Sequence, residues 1–216
     1  MRKPLVTIVD NALDRKNFRA LYRRIIGLQR ERLRNSYQTT FWFDFNESPA
    51  CIVESAALKL RDVLPPSVGH HVIGVEWWLS RMRTSNVMVD FHRDHDIAWA
   101  QKTGVQRYPR MSSLLYLNRC RGGLLAVTKE PPNPQNPAMA PDHLDFDLVT
   151  PAPNRFTFFR GSLTHGVLDA ENCIPGKKLP TERRFRLAIA INFWARRPTK
   201  VPRFSESRHY RSLRLK

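Results

Sequence analysis

The 216-residue sequence predicts an α+β fold, mostly β: an antiparallel sandwich or jelly roll with helices packed on one face. Two helical patterns come before residue 66, and from residue 74 short β-rich runs follow one another, separated by Gly, Pro, Asn and Asp. Apolar residues make up 42% of the chain, with five Trp and twelve Phe, so it can fill the core such a fold needs.

Taken in order, "PLVTIVDNAL" alternates like a short strand. "NALDRKNFRALYRRIIGLQRERL" places Phe18, Leu21, Tyr22, Ile25, Ile26 and Leu28 at helical spacing, with Asn11 or Asp14 as cap. The opposite face is cationic, carrying Arg15, Lys16, Arg19, Arg23 and Arg24. "FWFDF", residues 41–45, is extended and aromatic. "SPACIVESAALKLRDVLPP" reads as a second helix starting near Pro49 and stopped by Pro65 and Pro66.

The β-rich runs are "GVEWWLSRM", "NVMVDFH", "MSSLLYLN", "GGLLAVTKE", "FDLVTP", "RFTFFRG" and "RLAIAINFW". The Pro-rich residues 130–141 form a surface excursion between strands, and a second loop, "DAENCIPGKKLPTE", precedes the last run. The expected organisation is one domain over residues 1–194, with helical support in 1–66 and a β core over about 74–194. A basic tail, 195–216, is either mobile or folded back on the sheet.

The formal net charge of +17 implies attraction to polyanions or acidic partners, without choosing between nucleic acid and protein. Cys51, Cys120 and Cys173 share no short spacing, so neither a disulfide framework nor a thiolate zinc site is supported. The apolar run at the N-terminus is broken by Thr7 and ended by Asp10, and no stretch approaches a membrane span. A soluble, intracellular protein is expected.

Chemistry concentrates in "VDFHRDHDIAWA", residues 89–100, which alone fits either a metal site or a solvated turn. If the strand continues, His92 and Asp94 project to one side and Arg93 and His95 to the other. His165, in "FTFFRGSLTHGV", would complete a set of two histidines and one carboxylate, which leaves positions open for non-haem iron(II) and oxygen chemistry. In "RRFRLAIAINFW" the residues Arg186, Ala188, Ala190 and Asn192 share a face, so a guanidinium suited to clamping a carboxylate sits at the entrance of a narrow, neutral channel. Asp96 stays open between holding a ligand histidine and a local turn role.

In this order, His-x-Asp, "LLYLNRCRGGLLAV", "FTFFRGSLTHGV" and "RLAIAINFW", the motifs resemble the iron(II)- and 2-oxoglutarate-dependent dioxygenases, in particular their prolyl-hydroxylase-like branch. The resemblance covers about residues 74–194 and implies a double-stranded β-helix (jelly roll) with N-terminal helices on one face. It implies iron ligation by His92, Asp94 and His165 and binding of the distal carboxylate of 2-oxoglutarate by Arg186. Tyr116 is a second group for that carboxylate, and Arg184 has the same strand parity as Arg186 and takes the clamp if the register slips.

Ala188 stands where the family often has Ser or Thr, so one carboxylate hydrogen bond would come from elsewhere. The implied activity is a hydroxylation consuming dioxygen and 2-oxoglutarate and releasing succinate and CO2, with ascorbate as an accessory reductant. Trp77 and Trp78 are expected at the pocket mouth. An acidic macromolecule or nucleic acid is the implied partner of the basic helix and tail. The rival readings are a halogenase or epimerase-type enzyme on the same barrel, which Asp94 disfavours for halogenation, a basic nucleic-acid-binding jelly roll without catalysis, and a barrel that only binds a small molecule.

Overall fold

The computed structural model describes residues 2–28, 40–83, 91–120, 122–132, 146–168, 185–207 and 215. Strand β1 (Val6–Val9) is followed by helix α1 (Arg15–Ile26), as the alternation and the helical spacing predict. Of the two cap candidates Asp14 is the one that acts. Its carboxylate accepts the Asn17 N–H at 2.9 Å, a first-turn donor that the helix itself leaves without a partner. The helix ends sooner than expected: Gly27 closes the last regular turn, and the Leu28 N–H falls back three residues to the Ile25 carbonyl at 3.1 Å. Residues 29–33 of the expected helix lie outside the described residues.

Helix α2 (Ile52–Arg61) begins later than Pro49, and two donors at its start find partners outside the helical backbone ladder. The Ala50 N–H reaches the Glu54 carboxylate at 2.6 Å, and the Ile52 N–H reaches the Leu215 carbonyl at 2.9 Å. Pro66 does more than stop this helix, since it opens a one-turn helix, α3 (Pro66–Gly69). A fourth helix, α4 (Ile97–Thr103), occupies a stretch for which the sequence pattern predicts no element.

The strands are β2 (Phe41–Asp44), β3 (Gly74–Arg83), β4 (Met111–Tyr116), β5 (Leu124–Thr128), β6 (Asp147–Val149), β7 (Arg155–Arg160), β8 (Thr164–Leu168) and β9 (Phe185–Trp194). They form an antiparallel six-stranded sheet in the order β1-β7-β4-β9-β3-β2 and a three-stranded sheet in the order β6-β5-β8. This is the jelly-roll α+β architecture that the short, punctuated runs predict. Of "NVMVDFH", residues 86–90 lie outside the described residues; its end reaches the second sheet through an antiparallel bridge between His92 and His165. Residues 133–141 of the Pro-rich insert, the loop over 169–182 and Arg184 also lie outside them.

Alternation along β9 divides the molecule. Leu187, Ile189, Ile191 and Phe193 point to one side, where they join Leu21 and Ile25 of α1 and Val53, Ala57 and Leu60 of α2 in the main core. Arg186, Ala190 and Asn192 point to the other side and line a cleft between the sheets. The helices therefore support one face of the six-stranded sheet and leave the opposite face for chemistry. Among the described residues no helix is long and apolar enough to cross a membrane.

Of the segment after Ala195, the described residues 202–206 and Leu215 pack on the helical side. The Pro202 carbonyl takes the Trp42 N–H at 2.8 Å, and Leu215 is fully buried in the core. Phe204, in a 3-10 turn over Phe204–Glu206, meets Phe41 edge-on at 5.4 Å between centroids and lies 5.7 Å from Trp77. Truncating such an aromatic removes both apolar burial and ring contacts. Phe204→Ala is expected to destabilise the fold by about 3 kcal/mol, roughly 6–12 °C in Tm, read by thermal or urea unfolding. A Tm within a degree of wild type would show that the C-terminal segment does not support the core.

Candidate metal centre

His92 and His165 face each other across strands. Each N–H donates to the other's carbonyl at 2.9 Å, and the ring centroids stand 4.4 Å apart. An antiparallel pair of this kind puts both side chains on the same face of the sheet. Gly166 makes the approach possible, since a Cβ there would come within 2.9 Å of the Phe91 ring beside His92.

Strand pairing ends at His92, yet Asp94 still returns to the same side. Its carboxylate lies 3.3 Å from His92 Nε2 and 3.4 Å from His165 Nε2. One ligand atom from each of the three residues lies within 4.8 Å of the others, and among the described residues this is the one such His, Cys, Asp and Glu cluster that could hold a metal ion.

The protonation states suit an ion. Burial pushes the Asp94 carboxyl up, but the His165 and His92 rings and the Ser112 hydroxyl outweigh it and hold the group well below the usual carboxylate range. Asp94 is therefore ionised at neutral pH. Burial pushes His165 down to about 4, only partly opposed by Asp94, so its imidazole is neutral, the form that ligates. Its Nδ1 faces the Leu163 carbonyl at 3.3 Å, which places the proton there and leaves the Nε2 lone pair towards Asp94. His92 is 41% exposed at its side chain against 12% for Asp94, so the cluster is open to solvent on the His92 side.

Ser112 was not legible as part of this group. Its hydroxyl donates to Asp94 at 2.7 Å and fixes the carboxylate from the β4 side. Only its inward parity on β4 hinted at this. The cleft beyond is lined by Trp78, Ser80, Ser112, Arg186, Ala190 and Asn192 among others. Trp78 lines it as expected. Trp77 does not: successive strand residues face opposite ways, and Trp77 is buried in the helical core with Phe41 and Phe204.

Arg186 lines the cleft and is almost wholly buried, with Nε donating to the Gly123 carbonyl at 2.9 Å. Tyr116, also fully buried, lies with its ring 5.1 Å from the Arg186 guanidinium carbon. Burial pushes the Tyr116 hydroxyl up, against the opposing effect of Arg186, so it is a neutral hydrogen-bonding group. Arg186 thus joins the cleft that the triad opens onto, while Arg184 lies outside the described residues.

Arg93, His95 and Asp96, beside the triad, have structural roles. Arg93 Nε donates to Thr164 Oγ1 at 3.2 Å, and the His95 ring pairs with the Arg93 carbonyl at 3.0 Å. Asp96 does not hold a ligand histidine. Its carboxylate caps α4 through the Trp99 N–H and takes the Thr199 N–H and hydroxyl, each at 2.9 Å, while its own N–H reaches the Arg107 carbonyl. It thereby ties the segment after the triad to the C-terminal stretch.

Glu76 stands beside Asn192 in the β3–β9 register, and burial pushes its carboxyl up to about 7, opposed by a Thr40 hydrogen bond and reinforced by Asp94. The folded state holds this proton between the unfolded value of 4.5 and about 7, so stability is present below that window and is lost as pH rises through it. In the presence of a chelator, urea unfolding is expected to show about 2 kcal/mol of such loss, absent in Glu76→Gln. Equal pH profiles for the two proteins would contradict this.

Neither a protein-family model nor a curated protein sequence matches the chain. Among solved structures it is similar to a prolyl-4-hydroxylase from Pseudomonas putida, at 18% identity over 89% of this chain and 86% of that one, with a TM-score of 0.52. A prolyl 4-hydroxylase from Phytophthora capsici matches at 13% identity and a TM-score of 0.53, over 96% of this chain and 65% of that one. A third is a prolyl hydroxylase from Trichoplax adhaerens, solved with a peptide fragment of the hypoxia inducible factor oxygen degradation domain, at 13% identity, 89% and 84% coverage and a TM-score of 0.50. At these identities the likeness is one of architecture: the chain has the jelly-roll fold of the prolyl hydroxylases.

Proposed function

We propose that the chain is an iron(II)- and 2-oxoglutarate-dependent oxygenase that hydroxylates its substrate. The observation that carries this is the cross-strand pair His92–His165 with Asp94 between the rings, facing a cleft whose far end holds the buried Arg186. An anionic carboxylate and two imidazoles, one of them neutral and tautomerically fixed, fit a divalent iron. The cleft fits a small dicarboxylate with one end on the metal and the other on Arg186, with Tyr116 supporting that end. The bound iron would supply oxidative decarboxylation of 2-oxoglutarate with dioxygen, giving succinate and CO2, and transfer of oxygen to the substrate, with ascorbate serving as an accessory reductant.

The chain's own part is to bind and orient. His92, Asp94 and His165 would hold the ion, Ser112 would hold Asp94 in place, and Arg186 would fix the cosubstrate carboxylate. In this reading residues 1–194 are the oxygenase unit in an intracellular, reducing setting. The peptide bound to the Trichoplax enzyme favours a macromolecular substrate presented at the exposed His92 side. Anaerobic addition of iron(II) and then 2-oxoglutarate should produce a weak visible charge-transfer band, lost in His92→Ala. No band, or a band that survives this substitution, would refute the assignment.

A further inference from the structure

We propose that the cationic face of α1 binds the phosphate backbone of nucleic acid, on the side of the six-stranded sheet opposite the cleft. Arg15, Lys16, Arg19, Arg23 and Arg24 are all exposed, and α1 itself contains no acidic residue. Among the described residues none of the five makes an ion pair. The arrangement is locally unfavourable for the free protein. Arg15, Arg19 and Arg23 repeat at four-residue spacing, where like charges repel, and Arg15 and Lys16 sit at the positive end of the helix dipole. A row of anions supplied from outside removes both penalties.

The stripe borders a hollow on the surface. Arg23 and Arg24 border a hollow with Ala20 and Ile52, and the Ile52 N–H is the group that anchors the Leu215 carbonyl. Leu215 is fully buried, so this point of the chain is fastened beside the start of α2 and the hollow that borders the stripe. The aromatic residues of α1, Phe18 and Tyr22, are half-buried, stack on each other and pack against the main core. With both rings engaged in packing, recognition by this face rests on phosphates and ignores sequence. Leu21 and Ile25 pack α1 into the helical core, whereas the candidate metal lies on the far face, so binding here tethers the protein and leaves the cleft free.

The experiment is fluorescence anisotropy of the full chain with labelled duplex DNA and single-stranded RNA across salt, with polyglutamate as competitor, and without iron or 2-oxoglutarate. If all five cations meet phosphates, log Kd against log salt should have a slope near 4.5 for duplex and about 3.5 for single strands. Arg19→Gln/Arg23→Gln/Arg24→Gln should lower the duplex slope to about 2, while the Lys triple at the same positions keeps it. Should the Gln triple not fold, judged by circular dichroism, Arg23→Gln alone should lower the slope by about 1. A flat salt response, unchanged slopes in these variants, or polyglutamate competing as well as nucleic acid would overturn the proposal, the last in favour of an acidic protein partner. Because no metal or turnover is involved, failure here is distinct from failure of the oxygenase reading.

Discussion

Asp94→Asn is expected to weaken divalent-ion binding by more than about 100-fold, the upper end for losing merely an outer partner of a ligand. Asparagine keeps the volume and can still accept the Ser112 hydroxyl, so the ion-free fold survives the change. What disappears is the anionic charge, which His92 and His165 alone cannot replace. Linkage makes the loss measurable without turnover: at an ion concentration 100 times its Kd, wild type gains about 2.7 kcal/mol. For a chain of this size that is roughly 5–10 °C in Tm. With manganese(II) as probe, wild type should show this rise and lose it to chelator, while Asp94→Asn should show almost none. A variant that rises with wild type would mean that the ion binds elsewhere.

How much of this was readable from residues alone depends on the range of the interaction. Alternation along β9 and β4 is local, so the inward set of Arg186, Ala190 and Asn192 followed from parity. Spacing could nominate His92, Asp94 and His165, but their convergence depends on the His92–His165 bridge and on β5 pairing with β8, contacts between segments far apart in the chain. Helix α4 carries ordinary signals, an Asp96 cap and Gly104 at φ +71°, yet the density of charged and imidazole groups before it drew attention to ligation. Asp96 shows the consequence: a carboxylate near the candidate metal site serves as a cap and a strut instead. Ser112 and the core position of Trp77 depend on which face of a sheet meets the helices, and that is decided only by packing.

Arg186→Met is expected to weaken 2-oxoglutarate binding on the order of 10²–10³-fold, the loss that follows removal of one member of a buried charge pair. Arg186→Lys should recover little, since an ammonium cannot offer the planar fork. Gly123 sharpens the test. It has φ +68°, and a Cβ there would lie 2.7 Å from Arg186 Cδ, while its carbonyl takes the Arg186 Nε at 2.9 Å. Gly123→Ala therefore strains the backbone by about 1–2 kcal/mol and pushes the guanidinium off its bearing. It should raise the 2-oxoglutarate Kd about 10-fold with manganese(II) affinity unchanged, and adding it to Arg186→Met should bring no further loss, the non-additivity expected of residues acting through one group. Arg184→Met is the matching control and should leave the cosubstrate Kd alone. A larger loss in Arg184→Met than in Arg186→Met would mean that the clamp belongs to the other arginine.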